Sequence, residues 1–241
     1  MSWFDLPRRP EPEVMNDQEE VEVYASAAAQ AFLDAIDNTL VDQVLAFHPS
    51  GRLLDIGTGP GGIPLKVARR CPAIGVVGVD RSANMIAAAR RAASEQGLSA
   101  RASFLIGDAC RLPFADGRFD VVLSNSVLHH LEHPVALLRE MARVAKPDGL
   151  ILLRDLRRPS RLAFPFHVRW HGRYYSGLMY RLFVDSVHAA YTREELAALL
   201  REASLPQAQV FLHERTHLGF IRDGRRSGED SHEPRAGLKT S

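Results

Sequence analysis

Apolar residues in the middle of the chain fall into short runs that alternate with longer stretches of helical spacing. The longer stretches cover 61–70, 83–96 and 134–144, where apolar positions recur every three or four residues. Strands that alternate with helices in this way are typical of a parallel sheet with helices on both faces. The pattern therefore predicts an α/β fold, whose first five strands are the runs 52–56, 75–79, 102–106, 120–124 and 150–155.

The regions on either side of this core have patterns of their own. Residues 17–50 carry apolar positions at helical spacing, which predict a helical cover of one or two amphipathic helices. Residues 157–187 form an insert that is too long for a simple connection and is rich in arginine, histidine and aromatic residues. Thr192 and Glu195 then have the spacing of a capping box that starts a helix. Two final runs, 207–213 and 217–221, predict a closing antiparallel pair of strands.

These patterns predict a single domain over 17–222 with a segment of different character at each end. Residues 1–16 hold prolines among charged residues, which predicts a flexible, extended leader. Residues 223–241 are polar and have no periodic apolar face, so we predict a disordered tail. A chain of 241 residues, of which 46% are hydrophobic, can bury one large core.

Composition narrows the choice of partners and of compartment. The formal net charge is +1, so no overall field attracts nucleic acid, and we expect no nucleic-acid partner. The two cysteines, Cys71 and Cys110, argue against a disulfide framework and fit a reducing compartment. The first residues lack the apolar core of a signal peptide, and no run approaches the ~18 apolar residues of a membrane span. We therefore predict a cytoplasmic location and leave peripheral membrane contact open.

A glycine-rich turn directly follows the first predicted strand. The run RLLDIGTGPGG over 52–62 places Gly57, Gly59 and Gly62 in the spacing G-x-G-x-x-G, and Asp80 follows about 20 residues later. Such a turn lets a ligand approach the backbone at the start of a helix. Asp55 precedes the first glycine, where its carboxylate would repel a pyrophosphate group. An acid at this position favours a ligand that carries a cation.

The stretch LLDIGTGPGG resembles the cofactor loop of class I S-adenosylmethionine-dependent methyltransferases of the small-molecule type, and further resemblance follows in order downstream. VVGVDRS is similar to that family's second strand, FLIGDACRLPF to the turn after the third, FDVVLSNSVLHHL to the fourth strand and ARVAKPDGLILLRDL to the fifth. The resemblance covers 52–156 and implies a Rossmann-like, seven-stranded, mostly parallel sheet. It also implies S-adenosylmethionine as the cofactor and S-adenosylhomocysteine as its product.

The same resemblance implies cofactor-binding roles for residues at the ends of the strands. Asp80 would hold the ribose hydroxyls, and Asp108 would accept a hydrogen bond from the adenine amino group, with the Ala109 amide facing the ring. A backbone carbonyl after the fourth strand would receive the amino group of the cofactor. The full implied set is Asp55, Gly57, Thr58, Gly59, Asp80, Arg81, Asp108, Ala109 and Asn125.

Two adjacent histidines after the fourth strand are candidates for catalysis. Methyl transfer from a sulfonium is an in-line displacement, so the protein mainly has to align a nucleophile with the methyl carbon. His129 or His130 could accept a proton from the acceptor, because an imidazole titrates near neutral pH. Alternatively, one ring packs against the sheet and the other meets solvent. The candidate catalytic residues are His129, His130, Tyr24 and Asp155, and the candidate substrate-pocket residues are Ser126, Tyr174 and Tyr175.

The histidines also raise the question of a metal site. His129 and His133 have the i, i+4 spacing of a shared metal ion. Pro134, however, implies that His133 lies in a turn before the next helix. We therefore predict no metal site.

The insert 157–187 is compatible with several roles. Its aromatic residues could form a lid that excludes water around an organic substrate, and its arginines could attract a carboxylate or phosphate group. It could also be an interfacial element that lies on anionic lipid. The structural alternative is a helical cover with its aromatic face in the core and its arginines in water.

Together these observations predict an S-adenosylmethionine-dependent methyltransferase that acts on a small or medium organic acceptor by direct in-line displacement. The alternatives are an NAD-dependent oxidoreductase, favoured by the glycine spacing, and a cofactor-binding module without catalysis. RNA or lipid is the alternative acceptor. The acceptor atom and the oligomeric state stay open.

Overall fold

A computed structural model of the chain describes residues 4–11, 27–205 and 207–227. In these ranges seven strands form one sheet in the order β3-β2-β1-β4-β5-β7-β6. Strands β1 to β5 are mutually parallel where they pair, whereas β7 is antiparallel to both of its neighbours. The strands are β1 (Gly51–Ile56), β2 (Ile74–Asp80), β3 (Ala102–Ile106), β4 (Phe119–Asn125), β5 (Ala145–Leu156), β6 (Gln209–His213) and β7 (His217–Asp223).

Helices cover both faces of this sheet, as the alternating pattern predicts. The α-helices in the described ranges are α1 (Ala27–Leu45), α2 (Gly62–Arg70), α3 (Ala83–Glu95), α4 (Pro134–Val144), α5 (Phe164–His171), α6 (Gly177–Ala189) and α7 (Arg193–Glu202). Short 3₁₀ turns add Leu128–His130, Gly172–Tyr174 and Gly224–Ser227. None of the helices in the described part of the chain is long and apolar enough to cross a membrane.

The core is split into two layers by the two faces of the sheet. Successive strand residues point to opposite faces, so Leu53 joins the layer beneath α1, α2 and α3 while Leu54 joins the layer beneath α4 and α7. The first layer includes Leu40 and Leu65 from the helices, and the second includes Leu137. Both layers hold the carboxyl ends of the parallel strands in fixed positions at one edge.

The sequence predicts most element boundaries to within two residues. The capping box is present, because the Glu195 amide donates to Thr192 Oγ1 at 3.3 Å and the Thr192 amide donates to Glu195 Oε2 at 2.8 Å. The largest difference is the start of β5, which lies at Ala145 and not at residue 150. Ala145 pairs with Phe119, and the register then shifts so that Leu150 pairs with Val121.

The ends of the fold differ in part from the sequence prediction. The leader residues 4–11 form no helix or strand and are hydrogen-bonded to the domain, for example through the Arg9 amide, which donates to the His188 carbonyl at 3.1 Å. Strand β7 ends at Asp223, and the turn Gly224–Ser227 continues the fold past the predicted domain end at residue 222. Residues 12–26 and 228–241 lie outside the described ranges. The flexibility of the leader and the disorder of the tail stay predictions.

The helical cover predicted over 17–50 is present in the described residues as α1. Its buried residues Leu40, Val41 and Val44 belong to the same core layer as residues of α2 and of the sheet. The candidate catalytic residue Tyr24 precedes α1 and lies outside the described residues.

Candidate functional site

A cavity of about 710 Å³ lies at the carboxyl ends of the parallel strands. This is the edge at which open α/β sheets bind their ligands. Loops after four strands contribute to its wall, through Gly59 after β1, Asp80 at the end of β2, Asp108 after β3 and Asn125 at the end of β4. The N-terminal leader supplies a further part of the wall through Glu11.

The glycine-rich loop after β1 has a conformation that only glycine adopts without strain. Gly57 has a φ of +72°, and a Cβ atom there would lie 2.1 Å from Val127 Cγ2. Gly59 has a φ of +52° and no atom within 4 Å of the position of a Cβ, so its backbone is open to a ligand. The close packing of the following helix falls on Gly61, where a Cβ would lie 3.1 Å from Ala89.

Asp80 is fixed by two backbone amides at the end of β2. Its Oδ2 accepts a hydrogen bond from the Gly59 amide at 2.8 Å, and its Oδ1 accepts one from the Ser82 amide at 2.9 Å. Asp108 is held in the same way, because its Oδ1 accepts from the Cys110 amide at 2.8 Å. Both carboxylates therefore have defined positions in the wall of the cavity. Of the predicted cofactor set, Gly57, Gly59, Asp80, Arg81, Asp108, Ala109 and Asn125 line this cavity.

Asp55 and Thr58 are the two predicted cofactor residues that do not line the cavity. Asp55 is only 2% exposed and lies behind the glycine loop, where its Oδ2 accepts a hydrogen bond from Thr58 Oγ1 at 2.8 Å. Burial raises the pKa of Asp55 to about 7, although the Thr58 hydrogen bond acts in the opposite direction. In this structure the carboxylate supports the loop from beneath, and its contact with a ligand cation stays a prediction.

His129 and Asp155 form a buried ion pair next to the cavity. His129 Nδ1 lies 2.5 Å from Asp155 Oδ1, and the His129 amide donates to Asp155 Oδ2 at 3.0 Å. Burial lowers the pKa of His129, but the Asp155 carboxylate outweighs this and raises that pKa above its usual value. Burial likewise raises the pKa of Asp155, and the imidazole outweighs it and lowers that pKa. The pair ties the turn after β4 to the end of β5.

The neighbouring imidazole is paired with the leader. Glu11 Oε2 lies 2.8 Å from His130 Nδ1 and 3.8 Å from His129 Nε2. The Ser186 hydroxyl on α6 donates to the Glu11 carboxylate at 3.2 Å. His130 and Glu11 both line the cavity, so the leader brings a carboxylate to the predicted catalytic histidine.

Arg8 fixes the leader in this position. Its Nη2 donates to the His129 carbonyl at 3.0 Å and its Nε donates to the Ala189 carbonyl at 2.7 Å. Its guanidinium also lies over the Tyr191 ring, 4.3 Å from the centroid. The sequence analysis did not identify Arg8 or Glu11, because nothing in a proline-rich charged segment indicates which part of the domain it contacts.

The ligand atoms of Glu11, His129 and His130 lie within 4.8 Å of one another, which is a spacing that a metal ion could bridge. In this structure the atoms are already paired with each other or with Asp155. These side-chain atoms therefore have hydrogen-bond or ion-pair partners within the protein. His133, the residue that the sequence spacing singled out, is not in this group, and the prediction of no metal site stays a prediction.

Arg154 is a buried residue of β5 that the sequence analysis missed. It is fully buried, and its Nε donates to the side-chain oxygen of Asn125 at 2.9 Å. Its Nη1 donates to the Ile36 carbonyl and to Thr39 Oγ1 of α1. Burial lowers the pKa of Arg154 to about 10. Through these bonds Arg154 fixes the side chain of Asn125 at the cavity and connects it to α1.

The predicted substrate-pocket residues separate into two groups. Ser126 lines the cavity, with a φ of +56°. Tyr174 is 60% exposed with the Arg173 guanidinium over its ring, and the ring of Tyr175 packs against Phe183 at 5.3 Å. Neither tyrosine belongs to the cavity wall, and within the described residues the insert 157–187 contributes nothing to that wall. The leader lines the cavity through Arg8, Pro10 and Glu11, and a lid formed by the insert stays a prediction.

Comparison with known proteins gives a consistent result. Residues 54–153 match a family described as a methyltransferase domain. The chain is 34% identical over 173 residues to demethylmenaquinone methyltransferase of Thermus thermophilus, an alignment that covers 68% of this chain and 77% of that protein. It is 36% identical over 122 residues to ajmaline N-methyltransferase of Rauvolfia serpentina, covering 47% of this chain and 42% of that one.

The fold is also that of a solved structure. A SAM-dependent methyltransferase from Aquifex aeolicus superposes with a TM-score of 0.63 at 18% identity, over 85% of this chain and 97% of the other. This likeness concerns the fold alone. The sequence relatives favour the methyltransferase interpretation over an NAD-dependent oxidoreductase.

Proposed function

The chain belongs to the S-adenosylmethionine-dependent methyltransferases, and we propose that it methylates a small or medium organic molecule by direct in-line displacement. One observation carries this proposal: a single cavity contains both the residues of the cofactor motifs and the paired side chains of His130 and Glu11. Its volume of about 710 Å³ lies within the range of small-molecule sites, which is roughly 300–1,000 Å³.

The residues of the cavity fit the cofactor of this family. The open space beside Gly59 permits close approach to the backbone, and the Asp80 carboxylate is oriented by two amides before any ligand binds. We infer that Asp80 holds the ribose hydroxyls and that Asp108 and Ala109 hold the adenine. When bound, S-adenosylmethionine supplies an electrophilic methyl group on a sulfonium that is a good leaving group.

The side chains of this protein then have to position the acceptor and take up its proton. His130 is the candidate base, because it lines the cavity and its Nδ1 is paired with Glu11. A carboxylate on one ring nitrogen fixes the orientation of an imidazole, as in other histidine–carboxylate pairs. The buried His129–Asp155 pair has a positioning role, since it holds the turn that carries His130.

The relatives support an organic acceptor without defining the acceptor atom. Demethylmenaquinone and ajmaline, after which two of them are named, are small organic compounds, and the second name specifies methylation at nitrogen. The leader lies across part of the cavity and is held there by Arg8, which limits the space for a large acceptor. RNA is therefore the less favoured acceptor.

Calorimetry tests the cofactor half of the proposal. We expect S-adenosylhomocysteine to bind with one site per chain and NAD⁺ to give no detectable heat under the same conditions. Binding of NAD⁺ in preference to S-adenosylhomocysteine would contradict the proposal. Asp80→Ala is the matched variant, because it removes the ribose contact from the same cavity.

A methyl-transfer assay tests the acceptor half. The purified protein is incubated with methyl-labelled S-adenosylmethionine and separate pools of hydroquinones, catechols, amines and thiols, with total RNA as a further pool. We expect label to enter a small-molecule pool and not the RNA. Tight binding of S-adenosylhomocysteine without transfer to any pool would support the non-catalytic alternative, and transfer to RNA alone would overturn the acceptor class.

A further inference from the structure

The outer face of the insert carries a stripe of apolar residues that do not line the cavity. Four residues spaced four apart, Leu162, Phe166, Trp170 and Tyr174, lie in the turn before α5, in α5 and in the 3₁₀ turn that follows it. Their exposed fractions are 62%, 75%, 64% and 60%, while the inner face of the same helix buries Val168. Four large apolar residues exposed in one line are unusual for a surface that faces only water.

Basic residues accompany this stripe. Arg161, Arg169 and Arg173 are exposed on the same segment, and the Arg173 guanidinium lies 4.4 Å from the Trp170 ring and 4.2 Å from the Tyr174 ring. No aspartate or glutamate occurs from residue 156 to residue 184, although the formal net charge of the whole chain is only +1. The segment is therefore a local positive patch on a nearly neutral protein.

The N-terminal leader extends the same surface. The Phe4 carbonyl accepts a hydrogen bond from the Arg161 amide at 2.9 Å, and the Phe4 side chain is 56% exposed. A few residues further along, Arg8 and Glu11 of this leader reach the His129–His130 turn. The exposed patch and the cavity are thus joined by one short extended segment.

We propose that this face, formed by the stripe Leu162, Phe166, Trp170 and Tyr174 with Arg161, Arg169 and Arg173, binds the surface of a bilayer that contains anionic lipid. Aromatic and aliphatic side chains enter the boundary between headgroups and acyl chains, and arginines beside them contact lipid phosphates. The protein lies on the membrane in this state and does not span it.

Charge favours a lipid surface over a second copy of the chain. A two-fold dimer through this face would bring the same arginines from both copies together, with no acidic residue in the segment to pair with them. An anionic bilayer offers the complementary charge over the whole patch. The inference does not depend on the methyl-transfer proposal, because it uses none of the cavity residues.

Fluorescence of Trp170 provides a direct test. The chain has two tryptophans, Trp3 and Trp170, so a Trp3→Phe variant leaves Trp170 as the only emitter. We expect its emission to shift to the blue on addition of vesicles that are two parts phosphatidylcholine to one part phosphatidylglycerol. With pure phosphatidylcholine, or in high salt, we expect little shift. Equal shifts with both vesicle types would contradict an anionic surface.

Co-sedimentation with the same vesicles separates the contribution of the apolar side chains to membrane binding from that of the arginines. The double variant Phe166→Ser, Trp170→Ser and the triple variant of Arg161, Arg169 and Arg173 to Ser are each expected to weaken binding at least tenfold. Arg91→Ser, an exposed arginine on α3, is the matched control and should bind as the wild type does. Calorimetry with S-adenosylhomocysteine checks that the variants are folded, since none of these residues lines the cavity.

Two results would overturn the proposal. The first is absence of vesicle binding by the full chain at low salt. The second is self-association in analytical ultracentrifugation that the stripe variants abolish while vesicle binding stays unchanged, which would assign the face to a second copy. These readouts do not require methyl transfer, so a failure here is distinct from a failure of the proposed function.

Discussion

The Glu11 carboxylate of the leader lies 2.8 Å from Nδ1 of His130, at the turn after β4. The two residues come from distant parts of the chain and meet because Arg8 and Ser186 fix the leader against α6 and that turn. The contact places an acidic and a basic group together in the wall of the cavity. It gives His130 the partner that an oriented base requires.

Removal of this pair should slow methyl transfer more than it weakens cofactor binding. We expect His130→Asn to lower kcat by about a hundredfold, at the lower end of the range for general acid–base groups. Glu11→Gln removes only the partner of the proposed base, so its effect on kcat should be smaller, about tenfold. Affinity for S-adenosylhomocysteine should change less than about threefold, because the proposed contact of His130 is with the acceptor and not with the cofactor. Glu202→Gln, an exposed carboxylate on α7, is the control. Unchanged kcat in both variants would remove the base from the mechanism.

Asp80 should be the largest single polar contribution to cofactor affinity. Its carboxylate is oriented by the Gly59 and Ser82 amides, and a hydrogen bond to a charged group contributes about 1.5–3 kcal/mol. We therefore expect Asp80→Ala to weaken S-adenosylhomocysteine binding roughly tenfold to a hundredfold in calorimetry. Glu95→Gln on the exposed side of α3 should have no effect. If Asp80→Ala and the wild type bind S-adenosylhomocysteine with equal affinity, Asp80 does not contact the ribose.

Asp55 should make the fold less stable as the pH rises. Its pKa is raised by burial from an ordinary value of 3.8 to about 7, so the stability associated with its neutral form is present below the ordinary value and is lost as the pH rises through about 7. Asp55→Asn, which stays neutral, should therefore have the higher free energy of unfolding at pH 8, with the two proteins converging near pH 4. Denaturant titrations at several pH values measure this difference. Should the variant instead be less stable at pH 8, the fold favours the ionised carboxylate and the pKa of Asp55 is not raised.

The same variant separates loop support from ligand contact. If Asp55 acts only beneath the glycine loop, as its hydrogen bond to Thr58 indicates, Asp55→Asn should bind S-adenosylhomocysteine within about threefold of the wild type. A hundredfold loss of affinity for S-adenosylhomocysteine would instead support the direct contact between Asp55 and the ligand cation that the sequence analysis predicted.

The buried His129–Asp155 pair should contribute stability in a defined pH window. The pKa of His129 is raised and that of Asp155 is lowered, so both contributions are fully present between the ordinary values of 3.8 and 6.5. As the pH rises above 6.5, the contribution of His129 is lost as the pH passes through its raised pKa. Asp155→Asn leaves a buried imidazole without its charged partner and should cost about 3 kcal/mol near pH 5. The difference from wild type should shrink at pH 9, and a difference independent of pH would contradict an ion pair.

Gly57 should tolerate substitution less well than another glycine of similar conformation. Gly57 and Gly97 have similar φ values of +72° and +67°. A Cβ atom added at Gly57 would lie 2.1 Å from Val127 Cγ2. At Gly97 nothing lies within 4 Å. We expect Gly97→Ala to lower the free energy of unfolding by about 1 kcal/mol through backbone strain, and Gly57→Ala by about 3 kcal/mol because Val127 must also move. Similar losses for the two variants would mean that the contact with Val127 relaxes without cost.

The sequence by itself determined the order of strands and helices and the residues at the strand ends. The α/β architecture can be predicted from local sequence, because each strand or helix has its own spacing of apolar residues. Gly59 and Asp80 could be identified from the spacing of the glycine motif, and Asp108 from the family resemblance. All three lie at or near the carboxyl ends of parallel strands, which meet at one edge of the sheet. The helix that begins after Thr192 was likewise encoded within four residues.

Only the tertiary structure decided which side chains meet inside the cavity. Glu11 reaches His130, and Arg154 reaches Asn125, through contacts between segments far apart in sequence, which no local spacing records. Asp55 lies behind its loop and Tyr174 faces outward for the same reason: the packing of neighbouring elements, and not the chemistry of the side chain, selects the face on which a residue lies. Periodicity fixes the elements, because it depends on adjacent residues. The site depends on how those elements pack, because its polar contacts join distant parts of the chain.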